Sequence, residues 1–191
     1  KPAVVHPAPG TQLPFEGGHN FRELGGYEAD EGKHIKWGQI YRGIPTWKLT
    51  SEADRKLLDS LGLRLILDLR SEAEAAETPD YVPGKDRTGV AAMLILLALG
   101  ASDKTIAEDF EKTNIWRRPE LEAVWAEHAE EIAADPARKD FYLGVFGVHP
   151  ESAPFVLGII RERYGSADAY LEAEYGLTPA RLMRLRRMYL E

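Results

Sequence analysis

The pattern of apolar and polar residues changes from strand-like near the N-terminus to helical towards the C-terminus. Residues 35–42 alternate apolar and polar side chains and include aromatic and β-branched members, which predicts a strand. Residues 63–70 form a short, nearly continuous apolar run, which is typical of a parallel strand buried on both faces. Residues 90–99 form the longest apolar run and predict a buried helix, because the run is too short to span a bilayer.

Capping residues and apolar periodicity predict the remaining helices. Thr50 is a suitable N-cap for a helix that continues to Leu58, and Gly62 is placed to end it. Further helices are predicted at 102–114, 119–134, 152–164 and 167–174, and Thr178-Pro179 opens a last one. Strands early and helices late predict a small α/β core, with an extended, Pro-rich arm at 1–14, one domain at 15–191 and a helical portion from about residue 101.

The composition excludes several classes of protein. A net charge of −7 argues against a nucleic-acid binder, although one basic pocket is enough for a small phosphorylated substrate. The chain has no cysteine, so it contains neither a disulfide nor a zinc–thiolate site. The five histidines show no metal-ligand spacing, and no cofactor or metal is predicted. No signal-peptide core is expected at the N-terminus, and the compartment and oligomeric state stay open.

The stretch Gly84-Lys85-Asp86-Arg87-Thr88-Gly89 has the composition of a phosphate-binding loop, because it is polar, basic and bounded by glycines. It leads directly into the apolar helix, whose first N–H groups and dipole favour an anion. Arg87 adds a planar fork that suits two phosphate oxygens. The alternative to a phosphate-binding role is that Lys85 and Asp86 form a solvated charge pair at the start of the helix. A Walker loop is excluded, since Asp86 follows the lysine where Ser or Thr is required.

Several blocks in a fixed order give the chain a resemblance to a known family. They are N-F-R-E-L-G-G at 20–26, Y-R-G at 41–43, L-D-L-R-S at 67–71, G-K-D-R-T-G at 84–89, E-D-F at 108–110, T-N at 113–114, G-V at 147–148 and R-Y-G-S at 163–166. This order resembles the bacterial tyrosine-phosphatase-like family of cysteine-dependent phosphatases, which act on phosphotyrosine, other phosphoproteins or phosphoinositides. The resemblance implies an α/β fold with a mostly parallel sheet flanked by helices, and a phosphorylated protein or small molecule as substrate.

The resemblance also implies roles for individual residues. Arg87 would hold the phosphate oxygens in the transition state, and Asp86 would give the leaving oxygen its proton, with Asp68 as a second candidate. Phosphate would be bound by Gly84, Lys85, Arg87, Thr88 and Gly89. Arg22, Arg42 and Arg70 would lie near the site; Arg42 and Arg70 follow apolar strand residues, where an α/β sheet builds its site. Asp109 and Asn114 are expected to hold the following helix against the site.

The family's catalytic cysteine has no counterpart in the chain. It stands six residues before the loop arginine, where this sequence has Tyr81. Only residues 72–83 separate Ser71 from Gly84, fewer than the family has, which predicts an omitted segment and a chain break between about Asp80 and Gly84. Three hypotheses follow: a phosphatase seen through an incomplete sequence, an inactive pseudophosphatase that binds a phosphorylated partner, and an α/β scaffold that binds proteins.

Overall fold

The computed structural model describes residues 5–44, 48–67, 69 and 84–191, and the side chains of residues 84–86 are not part of that description. Strands β1 (Arg22–Glu23) and β2 (Tyr41–Arg42) pair antiparallel, with Arg22 opposite Arg42. The helices of the described residues are α1 (Glu52–Ser60), α2 (Gly84–Ala98), α3 (Asp103–Trp116), α4 (Arg118–Glu127), α5 (Ala129–Ala134), α6 (Ala137–Phe146), α7 (Ser152–Tyr164), α8 (Ala167–Tyr175) and α9 (Pro179–Tyr189).

The predicted α/β fold with a mostly parallel sheet is wrong, because the described residues are mostly helical and their sheet is two-stranded and antiparallel. The described part of the predicted strand at 63–69 has no strand structure. Leu65 and Leu67 are exposed, at 74% and 72%, although Leu63 is half-buried. A parallel strand needs hydrogen-bonded neighbours, and no described residue supplies one for this segment.

The predicted strand at 35–42 is also shorter than expected. Only Tyr41 and Arg42 form a strand, whereas Ile35 makes an isolated antiparallel bridge with Leu190 beside the end of α9. Ile35 is fully buried all the same. The pattern therefore marks Ile35 correctly as a core residue, but the polar Arg42 is buried as well.

Helix boundaries agree better with the sequence, because they depend on local signals. Ser51, rather than the predicted Thr50, caps α1 by accepting a hydrogen bond from the Asp54 N–H. Ser102 caps α3, where the sequence leaves Ser102 and Asp103 as candidates, and Gly176 ends α8 with a φ of 63°, a left-handed conformation that favours glycine. The single helix predicted at 119–134 is two helices, α4 and α5, that meet at His128. Helix α6 is not predicted.

Helix α2 lies at the centre of the main core. It packs against α3, α8 and α9, and both Leu96 and Leu97 are buried. A helix that is apolar on most sides has to be buried in this way. Even so, no helix in the described part of the chain is long and apolar enough to cross a membrane.

Gly89 brings α2 and α3 together. A Cβ atom at this position would lie 2.7 Å from the Phe110 ring. We therefore expect Gly89→Ala to lower the free energy of unfolding by about 1–3 kcal/mol, the usual cost of overpacking. The measurement is urea unfolding followed by circular dichroism. Gly158→Ala in α7 is the matched control, since a Cβ there meets nothing within 4 Å and alanine favours a helix. Equal effects of the two substitutions would contradict the close approach.

Candidate functional site

The candidate phosphate-binding residues open helix α2. The sequence predicts a loop that precedes the helix, whereas the helix begins at Gly84 itself, so residues 84–89 form its first turns. Lys85 and Arg87 have high helix propensity, which is compatible with this earlier start. The Nη1 atom of the half-buried Arg87 donates a hydrogen bond to the Leu69 carbonyl, at 3.0 Å. The first N–H groups of a helix have no intrahelical acceptor, so this end of α2 favours an anion.

A cleft of about 750 Å³ lies beside this helix start. Its walls include β2, the segment 61–67 with Leu69, and residues of α2 between Thr88 and Ile95. Thr88 and Arg42 contribute polar groups to the wall, whereas Ala91, Ala92 and Ile95 of α2 are apolar. The exposed apolar side chains of the segment 61–69 face a space of this size because no described strand covers them.

A cluster of charged groups is buried next to the cleft. We define the buried charge cluster as Asn20, Arg22, Tyr27, Arg42 and Asp109. Arg22 is fully enclosed, and Asp109 of α3 is 1% exposed. Arg22 donates from Nε to Asp109 Oδ1 at 3.0 Å and from Nη2 to the Asp109 carbonyl at 2.7 Å, while its Nη1 donates to Asn20. Every nitrogen of this guanidinium therefore has an acceptor.

Only one of the three guanidinium nitrogens of Arg42 has a hydrogen-bond partner among the described residues. Its Nη1 donates to Asp109 Oδ2 at 2.7 Å. Its Nε and Nη2 are buried and have no hydrogen-bond partner among the described residues. Tyr27 completes the cluster by donating from its hydroxyl to Asp109 Oδ1 at 3.0 Å, and Lys112 donates to that hydroxyl at 2.9 Å.

The pKa values of the cluster reflect burial and mutual charge. Burial lowers the pKa of Arg42 to about 10, and the neighbouring Arg22 charge acts in the same direction. Burial alone raises the pKa of Asp109, but the charges and hydrogen bonds of Arg42 and Arg22 outweigh it and hold that pKa below its usual range. Burial and the Asp109 charge raise the pKa of Tyr27. Asp109 is thus an anion at neutral pH, held between two cations.

The structure brings some of the predicted site residues together. Arg42 and Thr88 line one cleft, and Arg22 lies behind Arg42 in the buried charge cluster. Asp109 holds both arginines, while Asn114 pairs with the backbone of Val148 in both directions. Asp68 and Arg70 lie outside the described residues, as do the side chains of Lys85 and Asp86. The predicted chain break at 80–84 falls mostly outside them too.

Sequence reasoning missed two members of the network. Tyr27 and Lys112 are far apart in sequence, and nothing in their surroundings indicates that the lysine donates to the tyrosine hydroxyl beside Asp109. A lysine one helical turn after Asp109 is the one local signal that could have indicated it, because residues three or four apart share a helix face.

Comparison with known proteins identifies the class to which this fold and site belong. The sequence profile described as "Tyrosine phosphatase family" matches residues 13–83 and 81–191. These two segments take in most of the chain, which therefore belongs to the tyrosine phosphatase family. The match is divided at residues 81–83, within the stretch where the sequence predicts an omitted segment.

A curated relative gives a partial match. The chain is similar to a protein named "Putative tyrosine-protein phosphatase" from Cupriavidus necator, with 38% identity over 80 residues. The matched part is 38% of this chain and 29% of the relative, so the chain spans less than a third of the length of that protein.

Proposed function

We propose that this protein acts on phosphate monoesters and binds the phosphate group at the start of α2. The observation that carries the proposal is the placement of G-K-D-R-T-G as the first turns of a buried helix, beside a cleft that contains Arg42. Family membership supports hydrolysis as the reaction. Phosphotyrosine, another phosphorylated protein residue or a phosphoinositide is the substrate expected from the resemblance.

In the proposed chemistry, the backbone N–H groups at the helix start and the nearby side chains have different roles. The N–H groups of α2 and the Arg87 guanidinium bind the equatorial oxygens and stabilise the charge that develops on them. Asp86 donates a proton to the leaving oxygen, with Asp68 as the alternative donor. Lys85 adds positive potential at the mouth of the pocket and attracts anionic substrates.

The nucleophile of this proposal lies in a segment that belongs between about Asp80 and Gly84 and is absent from the 191 residues. A cysteine thiolate in that segment attacks phosphorus, the bond to the leaving oxygen breaks, and water later releases the phosphate. The division of the family match at residues 81–83 supports this omission.

A second candidate is favoured by the composition. The sequence contains no cysteine, and serine, threonine and tyrosine hydroxyls are weak nucleophiles without an adjacent base. The 191-residue chain as it stands would then be a pseudophosphatase, which binds a phosphorylated partner and leaves the ester intact. Both candidates share the same phosphate-binding site.

Phosphate binding by the purified chain tests that shared site. We expect inorganic phosphate to bind, and Arg87→Ala to weaken binding by about 1.5–3 kcal/mol, the contribution of a hydrogen bond to a charged group. Isothermal titration calorimetry measures both. Arg118→Ala is the matched control, because Arg118 forms an exposed pair with Glu122 on α4. Equal affinities of the Arg87→Ala protein and the unchanged chain would contradict the proposed site.

A further inference from the structure

We propose that the Nε–Nη2 edge of Arg42 is a second oxyanion subsite in the cleft, separate from the phosphate site at the start of α2. This inference rests on the proposed function and extends it to substrates that carry a second acidic group near the phosphate ester. The ligand chemistry is a pair of oxygens on one phosphate or carboxylate group.

The free edge of Arg42 has the geometry for such a pair. In a guanidinium, the Nε–H bond and the nearer Nη2–H bond point in parallel, and this edge binds two oxygens of one carboxylate or phosphate. In Arg42 these are the two nitrogens without a partner among the described residues, while Nη1 is taken by Asp109. Arg22, in the same cluster, uses all three nitrogens internally. Of these two arginines, only Arg42 therefore has an Nε–Nη2 edge without a hydrogen-bond partner among the described residues.

The charges of the described residues in the cluster favour a further anion. Two buried guanidinium groups share the single carboxylate of Asp109, and the half-buried Lys112 adds positive charge. A buried cation without full compensation is costly, and each buried donor left unsatisfied costs about 1–3 kcal/mol. Both nitrogens of the free edge are buried and have no hydrogen-bond partner among the described residues. An oxyanion in the cleft supplies the charge and the two acceptors together.

The cleft provides the route to Arg42. Arg42, Thr88 and the segment 61–67 with Leu69 all line this cleft. Since the free edge is shielded, an entering anion has to displace part of the wall. The residues 63–67 have no helix or strand structure that would resist this displacement.

Nuclear magnetic resonance of arginine Nε–H groups tests the subsite in the full 191-residue chain. We expect inorganic phosphate to shift the Arg42 Nε–H resonance, which is assigned by its loss in Arg42→Lys. The Arg22 resonance is the internal control and stays in place, because its nitrogens are already bound. An unmoved Arg42 resonance at saturating phosphate and at saturating acetate would overturn the proposal, and so would equal shifts of Arg42 and Arg22.

The same titration separates this subsite from the phosphate site on α2. In Arg87→Ala we expect calorimetric binding at the helix start to be weakened at least tenfold, while the Arg42 shift persists. Loss of the Arg42 shift in Arg87→Ala would mean that both guanidinium groups bind one anion and would contradict a separate subsite. A persistent Arg42 shift together with unchanged calorimetric binding would contradict the proposed function and leave the subsite supported.

Arg42→Lys tests the requirement for the bidentate edge. Lysine keeps the positive charge but lacks the planar edge, so we expect phosphate affinity at this subsite to fall by about tenfold or more. Unchanged affinity in a folded Arg42→Lys protein would contradict the proposed geometry. If this variant fails to fold, the Arg42 Nε–H resonance is assigned by through-bond correlation to the Arg42 backbone. The titration of the unchanged chain then decides, with acetate showing whether a carboxylate binds as phosphate does.

Discussion

Replacing Asp109 by alanine is expected to lower the free energy of unfolding by about 3–5 kcal/mol, because it leaves two buried guanidinium groups without their counter-charge. Asp109 accepts hydrogen bonds from Arg22, Arg42 and Tyr27, and neither arginine is more than 5% exposed. A loss of this size is a large fraction of the stability of an ordinary domain. Urea unfolding monitored by circular dichroism measures the change.

Two further variants distinguish charge from shape. Asp109→Asn keeps the size of the side chain but removes its charge, so we expect a large loss here as well. Glu122→Ala removes the partner of Arg118 in an exposed pair on α4, and such pairs contribute about 0–1 kcal/mol. If Asp109→Asn proves as mild as Glu122→Ala, the charge of Asp109 does not hold the cluster together.

The pKa of Asp109 sets the pH range of this stabilisation. Because the folded-state pKa is lowered, the contribution is fully present above the unfolded-state pKa. It is lost as the pH falls from that value towards the folded-state pKa. The stability difference between the unchanged chain and Asp109→Asn should therefore be constant at neutral pH and shrink on the acid side of about pH 4.

The ends of the helices could be predicted from the sequence because their causes are local. Ser102 accepts a hydrogen bond from an N–H three residues ahead, and the end of α8 depends on one glycine, Gly176. The boundary of α1 was one residue off, since Thr50 and Ser51 are adjacent and both residue types cap helices, serine the better of the two. No knowledge of the rest of the chain is needed for such signals.

The sheet and the site could not be predicted in the same way. An apolar run such as 63–69 becomes a parallel strand only if another segment pairs with it, and the described residues hold no such segment. The pairing of Arg22 and Arg42 with Asp109 joins residues 87 and 67 positions apart. The family blocks indicated that these residues belong near one another, but neither periodicity nor spacing shows that Arg22 is saturated while Arg42 keeps a free edge.

The 191-residue chain is expected to show no hydrolysis of p-nitrophenyl phosphate above the uncatalysed rate. The sequence has no cysteine, and a hydroxyl such as that of Tyr81 is a poor nucleophile without an activating base. Phosphate binding should nevertheless be retained, because the start of α2 and its arginine are present. The assay requires protein whose mass is verified as 21.4 kDa, so that a longer form does not contribute.

Restoring the omitted segment should restore turnover. A variant with an inserted segment before Gly84 that carries a cysteine six residues ahead of Arg87, as the family resemblance implies, is expected to hydrolyse the ester at least on the order of 10³-fold faster, since loss of a nucleophile costs about this much or more. Replacing a cysteine of the inserted segment by serine should abolish the gain while phosphate binding persists. Arg87→Ala in the insertion variant should reduce both binding and turnover, because the guanidinium holds the phosphate oxygens in each state. Robust turnover by the verified 21.4 kDa chain itself would contradict the omitted nucleophile. An inert insertion variant that binds phosphate with unchanged affinity would favour the pseudophosphatase, because binding and catalysis would then be separable in this chain.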